Sequence, residues 1–276
     1  MGLRKENRIL KYSLITISFL FLGIFLILPL VYIVTTALKS GISGYIKAVT
    51  DEYAVKAALL TLEATAFAVV INTIFGIAAA WLVTKYAFKG KKILSTFIDL
   101  PVTVSPIIAG LIYVLTFGRQ SSLYPILDRY GIQIIFAVPG IVLATIFVTF
   151  PFISRELIPV LTAQGTDEEE AAAIMGAGTG TIFRKVTFPH IKWALLYGVV
   201  LCTARAMGEF GAVSVLSGHL RGKTNTLPLY IELLYQGYDF TGAFAASSLL
   251  VILAVVVLIL RLVIEKRGKK ELDLNR

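Results

Sequence analysis

Arg205 and Glu209 stand four positions apart, so in a helix a guanidinium and a carboxylate share one face and can meet. Arg205 lies twelve residues beyond Trp193 in an apolar stretch, about 18 Å along a helix and so near the middle of a bilayer. A lone cation at that depth is costly, and a carboxylate at this spacing offsets part of the cost. The neighbours Ala204, Ala206, Gly208, Gly211 and Ala212 carry little bulk, which lets helices approach closely or move past one another. Two chemistries fit. In one, Arg205, Glu209, Gly208 and Gly211 form a gate, the cation attracting an anion and the carboxylate preventing a trap too deep to leave. In the other, the pair is a fixed ion pair joining helices.

A second group of residues suggests docking. Thr166-Asp-Glu-Glu169 has the form of a capping box, with Thr166 accepting from the third helical N–H and Glu169 reaching back to the cap. Asp167, Glu168 and Glu169 also face the positive end of the helix dipole. The spacing predicts a short helix from Asp167 to about Met175, ended by Gly176 at positive φ. A flexible turn, Gly176-Ala-Gly-Thr-Gly180, is expected next, then an apolar face of Ile182, Phe183 and Val186, with Pro189 opening the following helix. A capped acidic helix followed by a bend is a plausible dock for a soluble partner.

Other residues carry less. Gly176-x-Gly-x-Gly180 lacks the Gly-Lys-Ser/Thr of a phosphate-binding loop and follows a capped helix rather than a buried strand, so any ATP chemistry must come from another chain. His190 and His219 are far apart with no cysteine or carboxylate at ligand spacing, so no metal site is expected. His190 is expected at a helix start beside lipid headgroups. Cys202 is the single cysteine and excludes an internal disulfide. Glu63 and Asp99 lie near span ends, where snorkelling or pairing within a bundle serves as well as substrate contact. No His-Glu-x-x-His, carboxylate cluster or thiol with a nearby base supports an enzyme.

The elements that position these residues follow from composition. Of 276 residues, 57% are apolar and only 16% charged, with mean hydropathy +0.82, which excludes both a soluble domain and a disordered chain. The 27 residues from Tyr12 to Leu38 carry no charge and are longer than a cleavable signal's apolar region, despite the basic flank Arg4, Lys5, Arg8 and Lys11. Further apolar segments, at about 57–84, 93–117, 134–154, 193–216 and 240–264, complete six transmembrane helices in a single all-α membrane domain over 1–276. Pro101, Pro106, Pro139 and Pro151 imply kinks or short interruptions. Six spans place both termini on one side, and that side carries 17 of the Lys and Arg residues against 7 on the other. The bias puts the termini in the cytoplasm and explains the basic charge without nucleic acid. The long inside loop, 155–192, then holds the acidic helix.

That loop resembles a known family. Glu170-Ala171-Ala172, three residues, Gly176, nine residues and Val186-Thr-Phe-Pro189 is similar to the E-A-A-x3-G-x9-I-x-L-P loop of ABC importer permeases, with Val186 for Ile and Phe188 for Leu. Arg155-Glu-Leu-Ile-Pro159, Trp193 to Val200, Ala204 to Val213, Ser217-Gly218, Gly222 to Leu229 and Ile231-Glu232 extend the resemblance to the CysW-like sulfate/thiosulfate permeases. Molybdate and tungstate permeases share the Ala204 to Ala212 segment. The resemblance implies a type I importer permease fold with a cytoplasmic coupling helix between spans 4 and 5. It implies a prokaryotic inner-membrane location, a second homologous permease as a hetero-oligomer partner, two cytoplasmic ATPase subunits that carry ATP and Mg, and an external sulfate-binding protein. Glu170, Ala171, Ala172, Gly176 and Pro189 then become the ATPase-coupling residues. A self-sufficient channel or secondary transporter, the rival class, has no use for such a loop.

Overall fold

The computed structural model describes residues 8–274, with side chains over residues 10–268. The basic flank at Arg4, Lys5 and Arg8 lies outside the described residues and side chains. Every regular element among the described residues is helical. In chain order these are α1 (Arg8–Leu22), α2 (Leu28–Ala37), α3 (Gly41–Val49), α4 (Glu52–Lys85), α5 (Lys91–Thr103), α6 (Pro106–Phe117), α7 (Tyr124–Arg129) and α8 (Val138–Thr149). They continue as α9 (Pro151–Gln164), α10 (Asp167–Ile174), α11 (Thr179–Ile182), α12 (Phe188–Met207), α13 (Gly211–Ser217), α14 (Leu227–Gln236) and α15 (Phe240–Leu274). Among the described residues five helical stretches are long and apolar enough to cross a membrane: Leu10–Ala37, Glu52–Lys85, Val138–Gln164, Thr179–Met207 and Phe240–Gly268. A sixth exists if α5 and α6, bent by 108° from one another, form one broken span.

Prolines set the irregularities. Ser105, forced extended by Pro106 behind it, has ψ 131° and separates α5 from α6. Pro29 and Pro189 each follow, by one residue, a five-residue π-turn, Gly23–Ile27 and Phe183–Thr187. A proline has no N–H and its ring crowds the carbonyl four residues back, so the helix widens by one residue there instead of breaking. The N–H groups of Leu28 and Phe188 accordingly bond to the carbonyls of Gly23 and Phe183.

Several bounds depart from those the sequence suggested. The helical path into the fifth span begins at Thr179 and passes through the π-turn, so Pro189 widens a helix already under way. The fourth span runs through Arg155 to Gln164, which shortens the loop expected over 155–192. The segment expected as one helix over 193–216 is interrupted at Gly208–Phe210, between α12 and α13.

The described chain groups into two units. One comprises Met1–Asp51 with Ile231–Leu249; within it Tyr45 Oη and Ser248 Oγ are 2.9 Å apart, and Tyr32 meets Phe244 edge-on. The other comprises Glu52–Tyr230 with Leu250–Arg276 and contains every candidate functional residue. Its axis is α4, whose buried stripe of Ala54, Ala57, Thr61, Ala64, Ala68, Asn72, Gly76 and Ala80 recurs every three or four residues. Small residues let neighbouring backbones approach, the packing mode of helices that have no water to escape from. One core cluster joins α4 to α8 and α13 through Leu60, Ala64, Ile141, Ala144, Val213 and Leu216. A second joins it to α9 and α12 through Ala80, Ile153, Leu157, Ile191, Leu195 and Cys202. Between them the buried Asn72 Nδ2 donates to Thr149 Oγ1 at 2.8 Å and to the Ile146 carbonyl at 3.2 Å, a polar link between α4 and α8.

Candidate functional site

Two places concentrate polar chemistry, one at each end of α12. At its start stands α10. The carbonyl of Thr166 accepts the first helical bond, from the N–H of Glu170, but the Thr166 side chain makes no capping bond, so the expected capping box does not form. Glu169 has turned inward instead. Its Oε1 accepts from Thr187 Oγ1 at 2.6 Å and lies 3.1 Å from Lys85 Nζ. A charged partner and a hydroxyl outcompete the backbone cap.

The other end of α10 forms as the spacing predicted. Gly176 has φ +85°, a conformation costly for residues with a Cβ. The N–H of Ala177 bonds to the carbonyl of Ala172 and that of Gly176 to Ala173, the paired bonds of a Schellman stop. The helix is therefore fixed at both ends and two-faced. Ala172 is buried and Glu169 nearly so, whereas Asp167, Glu170 and Ala171 are exposed. So are Ile174 at 87% and Met175 at 82%. Two large apolar side chains are thus held in the open beside Glu170, which the acidic pattern alone did not reveal, although their positions at the helix end were readable. His190, expected beside headgroups, has Nε2 2.8 Å from Glu168 Oε2 and ties the first turn of α12 to α10. Pro189 is exposed, next to the π-turn that carries Thr187.

At the far end of α12 the helix stops at Met207, and Glu209 stands in the break. Arg205 Nη1 lies 2.7 Å from Glu209 Oε2, so the pair forms although the two residues no longer share a helix. Glu209 Oε1 accepts the N–H of Ala212 at 2.9 Å and thereby caps α13, a role the sequence reading missed. The two partners differ in surroundings: the Glu209 side chain is 1% exposed and that of Arg205 33%. Gly208 borders open space, while a Cβ on Gly211 would stand 3.0 Å from the Cβ of Pro106. Of the two glycines expected to allow close approach, Gly211 does so. The first turn of α13 thus rests on the first turn of α6, and the breaks in two spans meet. Asp99 pairs with Arg155 at 2.6 Å between α5 and α9, and Glu63 is exposed on α4. Among the described residues no group of three or more His, Cys, Asp and Glu is arranged to hold a metal ion.

The chain is similar in sequence and fold to known proteins. The family model described as "Binding-protein-dependent transport system inner membrane component" matches residues 72–270. The chain belongs to that family. As a permease of this kind it is a transport component and not an enzyme, an ABC importer permease by fold. It is 47% identical over 268 residues to the "Sulfate transport system permease protein CysW" of Escherichia coli K12, covering 95% of this chain and 92% of that protein. The protein of the same name from Synechococcus elongatus is 47% identical over 98% of this chain and 94% of its own length. "Sulfate permease 2, chloroplastic" of Chlamydomonas reinhardtii is 40% identical over 95% of this chain and 71% of that protein. Among solved structures, a bacterial ABC transporter involved in the import of the acidic polysaccharide alginate superimposes with TM-score 0.77 at 19% identity, covering 95% of each chain.

Proposed function

We propose that this permease is half of the translocation pathway of an ATP-driven, binding-protein-dependent importer of sulfate and thiosulfate. The observation that carries the substrate class is the 47% identity to permeases of sulfate transport systems over 95–98% of the chain. Its partners are a second, homologous but non-identical permease, two cytoplasmic ATPase subunits holding ATP and Mg, and an external sulfate-binding protein. The assembly sits in a prokaryotic plasma membrane with both termini of this chain in the cytoplasm, in keeping with the excess of Lys and Arg on that side.

The geometry supports a division of labour along α12. Glu170, Ala171, Ile174 and Met175 form the face that enters the ATPase, with Ala172 seating the helix and Gly176 stopping it. From Phe188 to Met207 the helix is 20 residues, about 30 Å, long enough to carry a displacement from the coupling end to the break at Glu209. There Arg205, with a third of its side chain open, meets the dianion, and the buried Glu209 limits how tightly it is held. Gly208 and Gly211 give the break its freedom and its close fit.

The test is ATP hydrolysis by the complex reconstituted in vesicles with its partner permease, ATPase and binding protein. Sulfate and thiosulfate should stimulate it while molybdate and tungstate do not. Stimulation by molybdate or tungstate alone overturns the substrate assignment, and hydrolysis indifferent to every oxyanion overturns the importer reading.

A further inference from the structure

We propose that Lys85, through Glu169, is the positioning residue that fastens the coupling helix to the second span, so that both move together when the ATPase closes; the proposal rests on the importer reading above. By chain connectivity α10 is attached only to α9 and α11, neither of which is part of α4. Lys85 is the last residue of α4, and its side chain is 5% exposed. Its ammonium bonds to the carbonyl of Gly165, in the link between α9 and α10, and stands 3.1 Å from Glu169 Oε1. That same oxygen accepts the hydroxyl of the fully buried Thr187, in the π-turn ahead of α12. Three elements, α4, α10 and the entry to α12, therefore converge on one carboxylate oxygen, of a side chain that is largely buried, at 14% exposure.

A contact of this kind transmits motion. Moving α10 against α4 would separate a mostly buried ion pair and leave both charges uncompensated, so joint displacement is the lower free-energy path. The outward acids of α10 make no such contact with the body of the permease: Glu170 faces away, and Glu168 reaches only the half-exposed His190. Glu169 and Glu170 thus divide the acidic turn, one facing the permease and the other facing out. Because α4 also packs against α8, α9 and α12, a displacement received through Lys85 spreads along the length of the fourth and fifth spans.

The experiment uses the full complex in vesicles with binding protein and sulfate, comparing wild type, Lys85→Met, Lys85→Arg and Thr187→Val. ATPase co-purification, melting, unstimulated hydrolysis and ATP consumed per sulfate imported are measured. Lys85→Met should assemble, hydrolyse ATP unstimulated as wild type does, and consume about tenfold more ATP per sulfate, a coupling loss of ordinary size. Lys85→Arg, which keeps the charge and a donor for Glu169, should restore most of the wild-type ratio. A Lys85→Met complex with the wild-type ratio overturns the clamp. Should Lys85→Met fail to assemble, Thr187→Val decides: a raised ratio supports the clamp, a normal ratio overturns it, and failure to assemble here too makes the cluster a folding element and overturns it. A wild-type complex without sulfate-stimulated hydrolysis removes the importer reading and the clamp together, whereas stimulated wild type with normally coupled variants removes the clamp alone.

Discussion

Substitution at Arg205 should separate a pathway residue from a fixed strut, because the two partners of this ion pair have unequal access to water. Removing Arg205 as Arg205→Ala leaves Glu209, 1% exposed, with the N–H of Ala212 as its remaining bond. An uncompensated buried charge costs about 3–5 kcal/mol. At about 2–4 °C per kcal/mol for a large chain, the melting temperature of the complex should fall by roughly 6–20 °C. Arg205→Gln removes the same charge but keeps a donor near Glu209, and a hydrogen bond to a charged group recovers about 1.5–3 kcal/mol of that cost, so it should be far milder than Arg205→Ala. Glu209→Gln keeps an acceptor for Ala212 and strands only Arg205, a third of which is already open, so it too should be mild. The informative variant is therefore Arg205→Gln. If the guanidinium meets the anion, losing one charge-assisted contact of about 1.5–3 kcal/mol lowers sulfate uptake by at least about tenfold with assembly and melting nearly intact. Uptake into vesicles and differential scanning of the same preparation measure the two quantities side by side. A variant that fails to assemble, or that assembles and imports sulfate at the normal rate, refutes the reasoning.

Four further outcomes follow from the geometry. Gly176→Val should cost about 1–2 kcal/mol in the left-handed conformation and lower ATPase co-purification, whereas Gly178→Ala, at φ −72° and with open space around it, should be silent; equal behaviour of the two would contradict the role given to φ +85°. Ile174→Asp should abolish ATPase binding without lowering the melting temperature of the free permease, since its side chain is almost entirely in the open; retained binding would remove that face from the interface. Gly76→Leu should destabilise by about 1–3 kcal/mol through overpacking, because even a Cβ there would stand 3.0 Å from the Ile153 side chain; unchanged melting would refute the close α4–α9 fit. Cysteines placed at Lys39 and Lys223 of a Cys202→Ser variant should react with an impermeant thiol reagent added from outside, and labelling only from the cytoplasmic side would invert the topology.

The fold class was legible because a bilayer imposes long apolar helices, and charge-free runs such as Tyr12–Leu38 declare themselves. Local chemistry was legible where it stayed local: Gly176 stops α10 because the bonds it enables lie within five residues. The capping box misled because the side chain of Glu169 was won by Thr187, 18 residues on, and by Lys85, 84 residues back, and no local pattern contains those partners. The uninterrupted reading of 193–216 failed for a related reason. Gly208 is a weak breaker by itself, and the break persists because Glu209 finds Arg205 and the Ala212 N–H on either side of it. Proline was the better guide, though only to position. Pro106 marks a 108° bend and Pro189 a widened turn, and the difference depends on whether the residue before the proline is pulled extended, as Ser105 is, or held helical, as Phe188 is.

Interrupted helices within a span are tolerable only where protein, not lipid, satisfies the backbone they expose. Here the two interruptions pack against one another. A Cβ on Gly110 would stand 2.8 Å from the carbonyl of Ala212, and one on Gly211 would press on Pro106, so α6 and α13 approach to backbone contact where both spans have been broken. The carboxylate of Glu209 takes the N–H that the start of α13 would otherwise leave bare, and Arg205 neutralises the charge this brings into the bundle. The ion pair is thus explained by the break, and the break by the close packing of glycines that no larger residue could replace. That dependence also makes the junction responsive. A shift of α12 along its axis would carry Arg205 with it, whereas Glu209 is bonded to α13 and α13 is seated on α6. Such a shift would therefore be taken up at the Gly208–Phe210 link and at the 2.7 Å contact between Arg205 and Glu209. On the pathway role proposed for Arg205, an arriving anion would compete with Glu209 for the same guanidinium, and occupancy would then be coupled to the position of α12.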